Sequence, residues 1–512
     1  MDYNNLPKDK FVFAQREGKI ADKKLDTKPV GYFRDALRRF RKNKSSVVAA
    51  FIILLLFLYA FLVPIFSPYT VEDRDGYYKM VLPKSDLFGW LGWDGCTEQQ
   101  ESQAGYDYYC SIGVEYGTSA VREVRDSSVD PNTGNVNYKL YVDTYEKVGF
   151  TYVDLTEEEY TALKDYQNNT GIQVVYPMPA NYKTTFVAVT NGANLWYKLA
   201  DESDTTAGEA RDHDENGRPI YTADYLMKKN ITYGQYDSLR LDLPGDGEGG
   251  LHYVYAIKNQ TGYHLRVLYK EYYNYQNGHY ATHLFGTNQH GQDIFMCLAY
   301  GARLSFMLAI AVSLLNLIIG VIYGSVEGFY GGTIDLVMER ISEVLGEVPF
   351  IVVATLFQMH LAKKVGPIPS LLFAFVMTGW IGIAYRVRTQ FYRFKNQEYV
   401  LAARTLGASD KRLIFRHIFP NAIGTIITST ILIIPGCFYD ESMLTYLGIV
   451  NLETSGTTSV GTLLSHGQTY MSTTPHILLF PALFISLLMI AFNLFGNGLR
   501  DAFNPSLRGA DE

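Results

Sequence analysis

Six apolar runs constrain this chain more than any other feature, because a helix needs about 20 such residues to cross a bilayer. They lie at Ser46–Phe66, Leu304–Tyr323, Ile334–Met359, Ser370–Tyr385, Ala422–Leu444 and His476–Phe495. Inside lipid every backbone polar group must be satisfied within the protein, and a helix does this segment by segment. The expectation is an all-α polytopic membrane protein with six transmembrane helices. The third run is the weakest, since Glu339, Arg340, Glu343 and Glu347 interrupt it. Three to four residues apart, these glutamates share one helical stripe. Such a stripe faces a bundle interior or water, not lipid. It serves either to pair helices or to touch whatever crosses the membrane, with Glu343 the candidate for the second role.

Positive charge sets the orientation. Residues 1–45 hold 13 basic against 6 acidic side chains, and Arg386 to Gly424 hold eight against two. An even number of crossings separates the two stretches, so both are placed in the cytoplasm. Lys363 and Lys364 fall on the other side, a small exception. Basic residues beside spans follow from topology, so nucleic acid is not an expected partner. The first run begins near residue 46 and lacks a small-residue cleavage site, which reads as an anchor and not a signal peptide. Just before it, Tyr32, Phe33, Ala36, Leu37 and Phe40 form an apolar stripe ringed by Arg34, Arg38, Arg39, Arg41 and Lys42. That pattern predicts an amphipathic helix lying on the bilayer surface; a solvated linker is the alternative.

Between the first two runs, residues 67–280 hold 28 of the 40 tyrosines and 32 acidic against 18 basic side chains. Asn135–Tyr145, Gly171–Pro177 and Gly250–Ile257 alternate as strands do. Thr156, Glu159 and Gly171 frame a capped helix. The expectation is an inserted extracellular α+β domain, whose tyrosines suit protein contact. Outside the cell, Cys96 and Cys110 can form a disulfide, although spacing alone leaves that open. Cys297 and Cys437 lie in apolar segments and read as packing residues. Asp212, Asp214, Asn216 and Gly217 have the opening spacing of a calcium loop, but Ala223 stands where its bidentate glutamate belongs; a turn explains them equally well. There is no phosphate-cradling loop and no nucleophile or metalloprotease motif. The ten histidines suggest no metal cluster. An enzyme is not expected, nor a cofactor held by this chain.

The basic stretch between the fourth and fifth runs has its own grammar. Glu398 opens a short helix. Ala402, Ala403 and Ala408 keep its surface small, Gly407 permits a left-handed stop, and Ser409 with Asp410 starts the next helix. Pro420 and Asn421 are expected to interrupt that helix. This stretch resembles the coupling loop of binding-protein-dependent ABC permeases of the oligopeptide, dipeptide and nickel branch. Ala402, Ala403, Gly407 and Pro420 match the family pattern. Leu401 stands at its usual acidic position, while Glu398, His417 and Pro420–Asn421 look like the peptide branch. His283–Ser305 resembles the approach to the second span, with Asp293, Gly301 and Arg303 matching; Asn288 and Gln292 replace an Asp and an Arg. Gly328–Pro349, Asp440–Ile449 and the ending with Gly498, Leu499, Arg500, Asp501, Pro505 and Arg508 also resemble the family. The resemblance covers 31–66 and about 283–509 and leaves out the insert.

The resemblance implies a type I ABC importer permease fold. It divides the chain into a cytoplasmic N-terminus (1–45), a first span (46–66), the insert (67–280), a permease core (281–500) with coupling loop 386–423, and a cytoplasmic tail (501–512). It implies a multi-pass subunit of a bacterial plasma membrane that couples ATPase closure to alternating access for oligopeptides or dipeptides. The implied partners are a second permease subunit in a heterodimer, two ABC ATPase subunits that hold ATP and magnesium, an extracellular substrate-binding lipoprotein and a peptide. Asp440 and Glu441 either line the solute path or mark a helix end. One alternative is the same fold importing nickel or another small solute. Another is a membrane-anchored receptor or adhesion protein acting through its extracellular domain.

Overall fold

The computed structural model describes residues 32–503 apart from 113–115, 130, 132–133, 177, 182–186, 189–192, 195–210, 214–218, 222–239, 243–251 and 454–455. Asp214, Asn216, Gly217 and Ala223 of the calcium-like turn, and Pro505 and Arg508 of the ending, lie outside the described residues.

Among the described residues five helices are long and apolar enough to cross a membrane. They are α2 (Lys44–Phe66), α6 (Ile294–Tyr330), α9 (Pro367–Phe394), α11 (Asp410–Tyr446) and α13 (His476–Phe503). The charged third run is a broken pair, α7 (Gly332–Gly346) and α8 (Phe350–His360), bent by 73°. Pro349 explains the break: it cannot donate to the ladder and pushes its predecessor out of helical geometry. The amphipathic stretch is α1 (Tyr32–Lys42). It buries Ala36 and Phe40 against α13, with the Phe40 and Phe495 rings 5.4 Å apart, while Leu37 stays exposed.

The bundle is close-packed where its residues are smallest. Gly320, Gly324 and Gly328 form one face of α6 against α9. A Cβ on Gly324 would stand 2.2 Å from the Ala384 carbonyl oxygen, and one on Gly328 2.8 Å from that of Arg388. Glycine at every fourth position lets two backbones touch, and that proximity holds helices together where lipid offers no hydrophobic drive. On the other side α2 buries few residues, Ser46, Ala49 and Ala60 among them, and exposes others such as Leu54, Leu55 and Leu62.

The insert carries its own core. Strands β1 (Cys96–Ser102), β2 (Val121–Val129) and β3 (Val136–Asp143) form an antiparallel sheet in the order β1-β3-β2, with Cys96 opposite Asp143. Helix α3 (Gln103–Ser111) follows β1. A second sheet joins β4 (Phe150–Leu155), β5 (Val175–Tyr176), β6 (Ala256–Lys258) and β7 (Tyr263–Leu268), with β7 pairing all three others. Helix α4 (Glu157–Thr170) starts with Thr156 and Glu159 capping each other reciprocally and ends at Gly171 in the left-handed region, as the sequence suggests. Helix α5 (Tyr269–Asn277) leads back to the bundle.

Among the described residues nine tyrosines of this region are buried, including Tyr78, Tyr145, Tyr255 and Tyr269. The core accounts for these nine, while Tyr77 and Tyr280 stay exposed on the surface. The hydroxyls find partners: Tyr269 donates to Asp75 at 2.7 Å and Tyr145 to the Leu82 carbonyl at 3.1 Å. Burial, then the Asp75 carboxylate, pushes the Tyr269 hydroxyl up, so it stays a donor.

Cys96 and Cys110, whose pairing the spacing leaves open, are not joined. Cys110 packs among Tyr106, Ile112, Leu140 and Val142, while the Cys96 thiol turns to the Asp94 carbonyl at 3.7 Å.

Candidate coupling site

The short helix of the basic stretch is α10 (Glu398–Thr405). Gly407 follows at φ +83°, the left-handed stop its sequence calls for, and its N–H bonds the Arg404 carbonyl at 3.0 Å. The Ala408 N–H returns to Ala403 at 3.0 Å. Ser409 occupies the cap position of α11, but its hydroxyl makes no capping bond, which corrects its expected role. Asp410 sits in the first turn, as expected.

Burial divides α10 into two faces. Val400 is fully buried with Phe391, Leu413, Ile414 and Ile418, and Ala403 and Ala408 pack against that cluster. Glu398, Leu401, Ala402 and Leu406 point outward, and Leu406 is 88 % exposed. Asn421 donates to the Tyr399 hydroxyl at 3.2 Å and to the His417 carbonyl at 2.8 Å. The short helix is thus fastened to the base of α11 by one apolar anchor and one amide, and its outer face is open.

Pro420 does not interrupt α11. Residues Leu413–Ile418 form a wide π-turn, and the helix runs on through Phe419–Ile431. In a regular helix the proline ring would strike the carbonyl four residues back. A turn with one extra residue removes that clash and keeps the axis continuous.

Above this loop Arg388 of α9 gathers the spans. Its guanidinium donates to Asp335 at 2.5 and 2.9 Å, to Glu339 at 2.9 and 3.0 Å, and lies 3.4 Å from Glu327. Tyr392 adds a bond to Asp335 at 2.6 Å. The planar fork suits several carboxylates at once. Of the glutamate stripe, Glu339 therefore pairs helices, whereas Glu343 is exposed and, among the described residues, ion-paired with Arg340 of its own helix at 2.5 Å.

At the insert end, Glu441 of α11 is 1 % exposed. It accepts from Ser305 of α6 at 2.6 Å and from Thr445 at 3.3 Å. A helix between these spans, α12 (Val460–Thr469), closes over it; a Cβ on Gly461 would lie 2.6 Å from the Ser442 carbonyl. Here Glu441 is closed off within the subunit, and Asp440 beside it is half-buried. A cavity of about 720 Å³ does open nearby, lined by Phe61, Tyr300, Leu304, Met307 and Pro369, with Arg303 its charged member.

The approach to α6 is held by polar bonds. His283 meets Asp293 at 2.8 Å, and Asp293 caps α6 through the Met296 N–H at 2.6 Å. Asn288 donates to Gln292 at 2.9 Å, both buried, so a neutral amide pair stands where the resemblance has Asp and Arg. Thr287 bonds Tyr78 at 2.6 Å and Val81 at 3.0 Å. Sequence reading missed the glycine ladder of α6, though its spacing of four is plain. It also missed a grouping of His290, Glu453 and His466, which lie far apart in the chain.

A bundle of apolar helices bearing a short, half-open helix on its loop end is the build of a membrane subunit that answers to another protein. Residues 316–509 match the binding-protein-dependent transport system inner membrane component, and residues 31–83 match the N-terminal TM domain of oligopeptide transport permease C. The oligopeptide transport system permease protein OppC of Bacillus subtilis is 43 % identical over 226 residues, 44 % of this chain and 72 % of that one. The dipeptide transport system permease protein DppC of the same organism is 42 % identical over 229 residues, 44 % of this chain and 70 % of that one. A solved structure of the MetNI methionine ABC transporter, facing inward, covers 41 % of this chain and 96 % of that chain at 14 % identity and a TM-score of 0.34. The chain belongs to the binding-protein-dependent ABC permease family, as a C-type subunit of its oligopeptide and dipeptide branch. It is a multi-pass membrane protein of a family whose permeases work with ATPase subunits, a further permease and a substrate-binding protein.

Proposed function

We propose that this subunit imports oligopeptides or dipeptides as one half of a heterodimeric permease. Two ATPase subunits, holding ATP and magnesium, seat against the open face of α10 in the cytoplasm. The insert lies outside, where a lipid-anchored binding protein delivers the peptide. The observation that carries this reading is the two-faced α10. Val400 and Asn421 fasten it to α11, so a partner that moves Leu401 and Leu406 moves the span. No covalent chemistry is needed for such alternating access.

Leu406→Asp is the test. The residue is exposed, so the bundle should melt unchanged, within about 0.5 kcal/mol. ATPase copurification and uptake of labelled di-, tri- and pentapeptides should fall at least about tenfold, since a charge in a docking groove costs 1.4 kcal/mol or more. Normal peptide uptake and ATPase binding in this variant would refute the reading. Loss of nickel uptake with peptide uptake intact would move the substrate to the metal alternative. A receptor acting through the insert would be indifferent to the change.

A further inference from the structure

We propose that His290, Glu453 and His466 form a binding site for a divalent transition ion of zinc's class at the insert end of the bundle. The three residues come from separate segments. His290 lies in the turn before α6, where the Asn288 side-chain oxygen accepts from the His290 and Gln292 N–H groups at 2.9 and 3.0 Å. Glu453 follows α11, and its N–H is held by Asn451 at 2.8 Å. His466 is on α12, whose start is fixed by Ser459 accepting from the Thr462 N–H at 3.2 Å. One ligand atom from each residue lies within 4.8 Å of the other two.

The spacing fits a small ion. His466 Nε2 is 3.3 Å from a Glu453 carboxylate oxygen. A tetrahedral site with bonds of about 2.0–2.1 Å has edges of about 3.4 Å. One edge is therefore formed, and the other two are at most 4.8 Å. The His290 and His466 rings are 6.0 Å apart at 75°, so their nitrogens converge without the rings stacking. An ordinary ion pair accounts for Glu453 and His466 but leaves His290 without a reason to be there. Two imidazoles with one carboxylate favour zinc, nickel or cobalt over calcium or magnesium, and three protein ligands leave a fourth position for water. A bound ion would tether the turn before α6 to the segment that closes over Glu441.

The full chain in detergent, stripped with a chelator, is titrated with zinc, and cobalt serves as a spectroscopic probe. One zinc per chain should bind at micromolar or tighter affinity, and cobalt should give the intense visible bands of a tetrahedral site. His466→Ala and Glu453→Gln should each weaken zinc at least tenfold without changing the melting temperature of the stripped protein. His264→Ala, which removes a histidine paired with Asp154 in the insert, should leave binding unchanged. If a variant fails to fold, His290→Ala gives the same reading from a third segment. Absence of saturable binding, or equal binding by wild type and all three ligand variants, would overturn the site whatever the transported solute is.

Discussion

Where α6 crosses α9, three glycines bring the two helices close, and at Gly324 backbone meets backbone at Ala384. In the insert the same task of filling an interior falls to tyrosine rings, with hydroxyls such as those of Tyr269 and Tyr145 led to Asp75 and the Leu82 carbonyl. The surroundings explain the contrast. Lipid is as apolar as a leucine side chain, so helices in it gain by fitting closely. Water rewards burial of a large ring and requires that its hydroxyl be satisfied. The bundle is therefore intolerant of added atoms, and the insert of lost polar partners.

Gly324→Leu should break the bundle side of this contrast most severely. Its Cβ meets a backbone oxygen that cannot rotate away, and overpacking on this scale costs about 3 kcal/mol or prevents folding. Yield and melting temperature in detergent read this; an unchanged melt would mean that the two helices are not in backbone contact. Asp143→Asn attacks the insert. The carboxylate is buried, with Lys84 at 3.2 Å, Arg122 at 2.8 Å and the Tyr145 N–H at 2.9 Å. The loss should be about 2 kcal/mol. Burial pushes this carboxyl up, but Lys84, Arg122 and the backbone donors outweigh it and hold it below its ordinary value. Its stabilisation is complete above about pH 4 and drains as pH falls through the lower folded value. The insert should lose stability on acidification below that point, and Asp143→Asn should flatten the slope. A variant with the parental slope would assign the acid sensitivity elsewhere.

Tyr269→Phe keeps the ring and removes only its bond to Asp75, so the expected cost is smaller, about 1 kcal/mol. A neutral result would place the stability in the ring alone. The smallest effect is kinetic. Burial, with Asp143 and Asp94 nearby, pushes the Cys96 thiol up to about 12. At pH 8 it should alkylate at least about tenfold more slowly than an ordinary thiol; mass spectrometry after timed labelling decides, and full-rate labelling would mean that the strand end is open.

The legible parts were those whose signal is local. Five of the apolar runs, the Thr156–Glu159 cap and the Gly407 stop each follow from a few adjacent residues, and each stands where the sequence puts it. The less legible parts depend on what arrives from elsewhere. Pro420 looks like a helix end until the π-turn before it is seen to relieve the clash. Glu441 reads either as a path residue or as a helix end, and its bond to Ser305 and its cover by α12 come from segments far away in the chain. Ser409 has the right type for a cap, yet its hydroxyl is not used. His290, Glu453 and His466 have no common motif because only the fold brings them together.

The chain enters and leaves the insert at one place. The Lys84 N–H bonds the His283 carbonyl at 2.9 Å, and the Thr287 N–H bonds that of Val81 at 3.0 Å. Seen from the bundle, roughly two hundred residues amount to a loop whose two ends already touch, and such a loop adds little closure entropy however long it grows. The doorway is the reason a domain could be grafted here without redrawing the helices beneath it. The same doorway makes it removable: joining residue 84 to 283 through a short linker should return a compact permease, with α6 still capped by Asp293.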